Sequence, residues 1–193
     1  MLAALLADPT DFLDTFSGCD VTPQTELVFF PLNDTTSLSG QVGAGKHWTL
    51  LVLDVCRATC VAYDSMGGGK KAGAPAAKLA KALAPLLPKL AAEHAQVQGA
   101  SSSSASSSAP AEKSSLICAP TPQQSNGSDC GMYALSLAEC IAALRIKHPS
   151  LGLDSKEYAT ALASQLTPAE IAKKRGAVKA LIMERAKKAG TAK

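Results

Sequence analysis

His47-Trp-Thr-Leu-Leu-Val-Leu-Asp-Val55, followed almost at once by Thr59-Cys-Val-Ala-Tyr-Asp64, is the stretch on which the fold turns. The first run is the strongest strand signal in the chain, and the second is another. The short gap between them predicts an antiparallel hairpin. A turn centred on Val55–Cys56 pairs His47 directly with Asp64, their Cβ atoms ~4.5–5.5 Å apart. A carboxylate at that distance can orient an imidazole and stabilise its cationic form. The plainer alternative is a surface His–Asp pair worth under ~1 kcal/mol. A one-residue slip would break the pairing.

Upstream, Glu26-Leu-Val-Phe-Phe-Pro-Leu32 reads as a strand ended by Pro31 and the Asn33-Asp34 turn, and residues 34–46 as a loop. Residues 8–18 read as a short acidic amphipathic helix or turn, with Phe12, Leu13 and Phe16 on one side. Downstream, residues 67–73 form a glycine-rich turn without the spacing of a phosphate loop. Residues 76–95 repeat Leu and Ala at helical intervals, a helix kinked or broken at Pro85 and Pro88. A serine tract over 99–115 predicts a disordered insertion. Leu116–Ala119 is a short strand, and 130–147 a helix with Met132, Leu135, Ala138, Ile141 and Leu144 facing the core. Helices over 154–165 and 167–188 follow, the last opened by an N-cap at Thr167, a first-turn proline and Glu170. This order is α+β, with a small, mostly antiparallel sheet packed with helices.

The 193 residues, 47% hydrophobic, fit one domain with a core of Leu, Val, Ile and Ala, since aromatics are only 4%. The formal net charge is +3, yet residues 173–193 alone carry +7, leaving −4 for the rest. That basic end reads as a solvated helix terminus that suits the helix dipole. No aromatic residues interleave with it to stack on bases, so nucleic acid is not an expected partner. No apolar run reaches the ~18 residues that would cross a membrane, and Met1–Ala7 lacks the basic flank of a secretion signal. The expected location is the cytoplasm or nucleus, and the six cysteines are expected as thiols. Cys56-x-x-x-Cys60 has no second pair at zinc-site spacing, so no metal is expected. His94 and His148 read as solvated residues at helix ends.

Cys130 stands where the polar turn Ser125-Asn-Gly-Ser-Asp129 meets a long helix. Only the thiolate is nucleophilic, and backbone N–H groups at a helix start favour the anion. Gly131 would let the backbone approach a reacting carbonyl. The competing reading is a buried structural cysteine. Gln124 could donate to an oxyanion, or simply belong to a polar turn.

Taken in order, His47-Trp48, Tyr63-Asp64-Ser65 and Gln124-x-x-x-x-Asp129-Cys130-Gly131 resemble the ubiquitin-like-protein-specific cysteine proteases, the sentrin/SUMO protease family. Asp129-Cys-Gly-Met-Tyr133 is particularly close. Phe30-Pro-Leu-Asn-Asp34, the glycine-containing loop before His47, and Leu166-Thr-Pro-Ala-Glu-Ile-Ala-Lys-Lys-Arg-Gly176 look most similar to the deneddylase branch, which acts on a NEDD-type modifier. The resemblance implies a papain-like cysteine protease fold over a single domain, residues 1–193. It implies Cys130 as nucleophile, His47 as base and then acid, Asp64 as its orienting carboxylate, and Gln124 with the Cys130 N–H as oxyanion hole. Trp48 and Gly131 would line the path of the modifier's Gly-Gly tail, although Trp48 could equally be a core residue. No cofactor is implied, and the expected state is a monomer whose partners are a NEDD-type or SUMO-type modifier and its conjugates. The family's opening segment, with a Trp-Leu-Asn-Asp motif, has no counterpart in residues 1–24. That departure implies a domain incomplete at its N-terminus, with half of the tail channel lacking. It keeps open a second reading, a modifier-binding protein with weak or no activity. A third, acyl transfer from a thioester donor, is disfavoured by the spacing from Gln124 to Cys130.

Overall fold

The computed structural model describes residues 22, 24–34, 46–67, 73–97 and 116–190. The helix expected over 8–18, most of the 34–46 loop, the centre of the 67–73 turn and the serine tract lie outside the described residues.

Four strands form one sheet: β1 (Leu27–Asn33), β2 (Trp48–Asp54), β3 (Thr59–Tyr63) and β4 (Leu116–Cys118). They lie in sequence order, β1–β2–β3 antiparallel and β4 parallel to β3. The α+β reading with a mostly antiparallel sheet therefore holds. Five helices accompany the sheet among the described residues: α1 (Ala74–Leu83), α2 (Leu87–Val97), α3 (Cys130–Lys147), α4 (Lys156–Gln165) and α5 (Pro168–Gly190).

The central strand explains the layering. Along β2, Leu50 and Val52 face one side and Leu51 and Leu53 the other, all essentially inaccessible. A strand buried on both faces needs a continuous apolar run, which residues 49–53 nearly supply. On one side Leu50, Val52, Val61 and Tyr63 pack with Tyr133, Leu137, Ile141, Tyr158 and Leu162 of α3 and α4. On the other, Leu51, Leu53, Cys60 and Ala62 pack with Ala76, Leu79, Ala80 and Leu83 of α1. Each buried leucine contributes ~1.5–3 kcal/mol relative to leaving it exposed.

Several expectations need correcting. The hairpin register runs Leu50↔Tyr63 through Asp54↔Thr59, so the turn is centred on Cys56–Arg57, and His47 is not directly across from Asp64. The cause is a four-residue turn, Val55–Ala58, whose last residue takes the left-handed conformation at φ 50° without being glycine. The slip is two places, so both residues keep their face of the sheet. β1 continues through Pro31 to Asn33. It is an edge strand, where a residue without an N–H is tolerated. The break expected within 76–95 is present, by contrast: α1 and α2 part around Pro85, with Pro88 in the first turn of the second. On α3 the buried stripe is Tyr133, Ala134, Leu137, Ile141 and Leu144, whereas Leu135 is 42% exposed. Leu135 lies two residues from Tyr133, about 200° around the helix.

Helix starts follow their local chemistry. The Ser155 side chain caps α4 by accepting from the Tyr158 N–H at 3.2 Å, and the Thr167 hydroxyl accepts from the Glu170 N–H at 3.3 Å at the start of α5. Past Ile171, its buried residue, α5 is mostly exposed, as expected of the basic end. Lys174 and Arg175 are nevertheless engaged, with Glu139 and Asp129.

Candidate active site

The site forms at the end of the hairpin away from its turn. His47 immediately precedes β2 and Asp64 immediately follows β3. Nε2 of the imidazole lies 2.8 Å from Asp64 Oδ1. A diagonal pair across two strands is within reach of side chains of this length, so the two-place register change leaves the contact intact. The other ring nitrogen, Nδ1, is buried and has no hydrogen-bond partner.

Both partners are held from behind. Asp34 Oδ1 accepts from the backbone N–H groups of Lys46 (2.7 Å) and His47 (2.9 Å), and Asn33 Nδ2 donates to the His47 carbonyl. Above all the His47 N–H holds the Asp34 carboxyl below the usual carboxylate range. Asp64 Oδ1 also accepts from the N–H groups of Met66 (2.8 Å) and Gly67 (3.0 Å). A Cβ on Gly67 would fall 2.6 Å from Asp64 Oδ2 and 2.9 Å from its Cγ, so only glycine leaves this carboxylate in place. Asp34 and Gly67 were missed as supports of the site. The signals were there: Asp34 sits at the turn before the loop to His47, and Gly67 opens the glycine-rich turn after Asp64.

A second stretch is laced onto the first. The Gln124 N–H donates to the Ser65 carbonyl (2.9 Å), Ser65 Oγ donates to Gln124 Oε1 (2.7 Å), and Gln123 Nε2 donates to the Asp64 carbonyl (3.0 Å). Gln124 Nε2 donates to the Asn126 carbonyl.

The loop then turns into α3 at Cys130. Asn126 Oδ1 accepts from the N–H groups of Ser128 (2.9 Å) and Asp129 (3.0 Å), an Asx turn that feeds the chain into the helix. Asp129 occupies the N-cap position without capping. Its carboxylate instead accepts from Asn126 Nδ2 and from Arg175 of α5, and these two contacts, Asn126 first, lower its pKa. Cys130 is the first residue of α3, 5% exposed, beneath the orphan amides of the first turn. Gly131 meets Trp48: a Cβ there would lie 3.7 Å from the indole Cδ1, an ordinary contact, so glycine keeps that strip open rather than relieving a clash. Trp48 itself is 42% exposed, which makes it a surface residue beside the helix start rather than part of the core.

All six expected residues thus fall on three stretches that converge. His47 joins Asp64, Gln124 joins Ser65 beside Asp64, and the residue after Cys130 lies against Trp48 beside His47. Thiol and imidazole are not hydrogen-bonded to each other in this conformation. Catalytic hydrogen bonds are often long before substrate binds. The model of the Ulp1 protease family, C-terminal catalytic domain, matches residues 10–165.

The chain belongs to the Ulp1 protease family.

Among curated proteins it is 31% identical over 124 residues to the probable sentrin-specific protease 8 of Dictyostelium discoideum, covering 63% of this chain and 42% of that protein. It is 29% identical over 132 residues to the NEDD8-specific protease 1 of Arabidopsis thaliana, covering 68% and 48%. It is 28% identical over 166 residues to the sentrin-specific protease 8 of Homo sapiens, covering 86% and 62%. The chain therefore spans about half the length of the curated relatives it matches.

Burial pushes the Cys60 thiol up to about 11, and burial also raises Cys56 and Cys140. His94, expected in solvent, is buried, with Nε2 3.3 Å from Cys56 Sγ. It is pinned because α2 packs over the hairpin turn.

Proposed function

We propose that this chain is a cysteine peptidase that cleaves after the C-terminal Gly-Gly of a ubiquitin-like modifier, processing its precursor or removing it from conjugates. One observation carries the reading: His47 is bound through Nε2 to Asp64 while Nδ1 is buried and unengaged, and the adjoining Trp48 lies against Gly131 in the first turn of the helix that begins at Cys130.

The chemistry follows from those atoms. Asp64 fixes the tautomer, so Nδ1 is the lone-pair nitrogen and takes the Cys130 proton. The thiolate attacks the glycyl carbonyl, and the oxyanion is received by the Cys130 backbone N–H and a Gln124 amide N–H. The C–N bond breaks, the amine leaves with the proton from the imidazolium, and a thioester remains. Water activated by His47 hydrolyses it, releasing the free carboxylate and restoring the thiol. Trp48 and Gly131 flank the path of a narrow Gly-Gly tail.

A NEDD-type modifier is favoured over a SUMO-type one. Support comes from the Leu166–Gly176 stretch and from the similarity to the NEDD8-specific protease 1 of Arabidopsis thaliana. The test uses both modifiers, each with a C-terminal electrophile in place of the scissile bond. The NEDD-type probe is expected to form one adduct, on Cys130, faster than the SUMO-type probe. No adduct, or an equal adduct on Cys130→Ala, defeats the hydrolase reading, and a faster SUMO-type reaction reverses the preference. The alternative, a modifier-binding protein with weak or no turnover, is favoured by the lack of a hydrogen bond between thiol and imidazole, and binding of intact modifier without probe labelling would establish it.

A further inference from the structure

The serine after Asp64 has no place in the chemistry above, yet it is 2% exposed and its hydroxyl meets the Gln124 side chain at 2.7 Å. A glutamine amide has a donor end and an acceptor end of nearly equal size, and only its partners settle which way it faces. Here both ends are engaged. The Asn126 carbonyl can only accept, so the end that meets it is the NH2 group. The end that meets Ser65 is then the oxygen, and the hydroxyl must donate to it. The distance is typical of a good O–H···O bond. The main chain fixes the same pair a second time, through the Gln124 N–H and the Ser65 carbonyl at 2.9 Å. With Oε1 tied to Ser65 and one Nε2 hydrogen spent on Asn126, one N–H of the amide is left.

We infer that Ser65 is a positioning residue for the oxyanion donor: it locks the Gln124 amide so that its remaining N–H is presented at the site. The inference rests on the hydrolase reading. Under it, two consecutive residues serve the two arms of the reaction. Asp64 orients the base and Ser65 orients the donor. Without the hydroxyl, the amide is held only at Asn126, and its remaining N–H can swing away from the developing negative charge.

The experiment is a double-mutant cycle on release of a fluorophore amide from the modifier's C-terminal Gly-Gly. Removing one oxyanion donor costs ~10²–10³-fold in kcat, and loosening it should cost less, about tenfold for Ser65→Ala. KM, the affinity for intact modifier and the pH midpoint of the His47-dependent limb should stay unchanged. In a Gln124→Ala background, adding Ser65→Ala should change kcat by less than about twofold. Equal losses in both backgrounds, or no loss from Ser65→Ala alone, would overturn the inference. Independently of turnover, the two side-chain amide protons of Gln124 should be well separated by NMR in the unsubstituted chain and converge toward free-glutamine values in Ser65→Ala. Unchanged resonances would also overturn it. An unsubstituted chain with no turnover fails the hydrolase reading, and the inference falls with it even when the resonances move.

Discussion

The β2–β3 hairpin carries an aspartate at each end, and the two are used in opposite ways. At the turn end, Asp54 is 1% exposed and its carboxylate is saturated. Arg145 of α3 bonds Oδ2, Arg57 Nη1 reaches the same oxygen at 3.2 Å, and the Arg57 N–H donates to Oδ1 at 3.3 Å. Arg57 also ties to the Ser150 carbonyl (2.5 Å). At the open end, Asp64 binds a histidine whose second nitrogen has no partner. The turn end even has its own cysteine–histidine contact, Cys56 with His94. Burial, then the charges of Asp54 and Glu26, keep that thiol protonated. Chemistry thus depends less on having the residue types than on leaving one atom unsatisfied in the right electrostatic surroundings.

The largest expected effect separates the ends. His47→Ala should lower turnover ~10²–10⁴-fold with little change in the chemical-denaturation midpoint. A small effect on turnover would erase the distinction. At the other end, Arg145→Ala should cost ~3–5 kcal/mol in urea unfolding, because a buried carboxylate loses its main partner. Replacing both members, Asp54→Leu with Arg145→Met, should recover most of that loss. Probe labelling well below the unfolding midpoint should persist in either variant.

Alkylation compares the two cysteine–histidine neighbourhoods directly. Iodoacetamide at pH 7, read by peptide mass spectrometry, should modify Cys130 faster than Cys56, whose raised pKa lowers its thiolate fraction. Equal rates would mean that the acidic surroundings of Cys56 do not matter. Gly67→Ala pushes on Asp64 and should lower kcat ~10-fold, a cost typical of a misplaced group, with KM little changed. The smallest effect concerns Asp34. Its folded pKa lies below the unfolded value, so its contribution is present above the ordinary carboxylate range and is lost as pH falls through the depressed folded value. The His47 backbone amide resonance should move over that acid range, and Asp34→Ala should abolish the movement.

The hairpin, the extent of α3 and the start of α5 were legible because each depends on local pattern: strand-forming runs, a continuous helical stretch, and Thr167 ahead of Pro168. The His47–Asp64 pairing was legible for a partly fortunate reason. The turn was misjudged, because Ala58 takes a conformation that side chains normally avoid. The error was even, and an even slip preserves the face. Contacts between distant stretches were not legible. Nothing near Asp54 announces Arg145, 91 residues away, and nothing near Ser65 announces Gln124, 59 residues away. Each depends on how helices and loops dock, as does the burial of His94, on α2, against Cys56. The motif order supplied the membership of the proposed catalytic set; folding supplied the supports behind it.

Arg175 has one more consequence. Asp129 places a formal negative charge one residue from Cys130, the proposed nucleophile. The guanidinium that offsets it arrives from 46 positions later, on a helix that otherwise runs mostly through solvent. The far end of the polypeptide is therefore an electrical neighbour of the first turn of α3. A chain clipped just ahead of Arg175 would keep every proposed reacting group and leave that charge without its guanidinium.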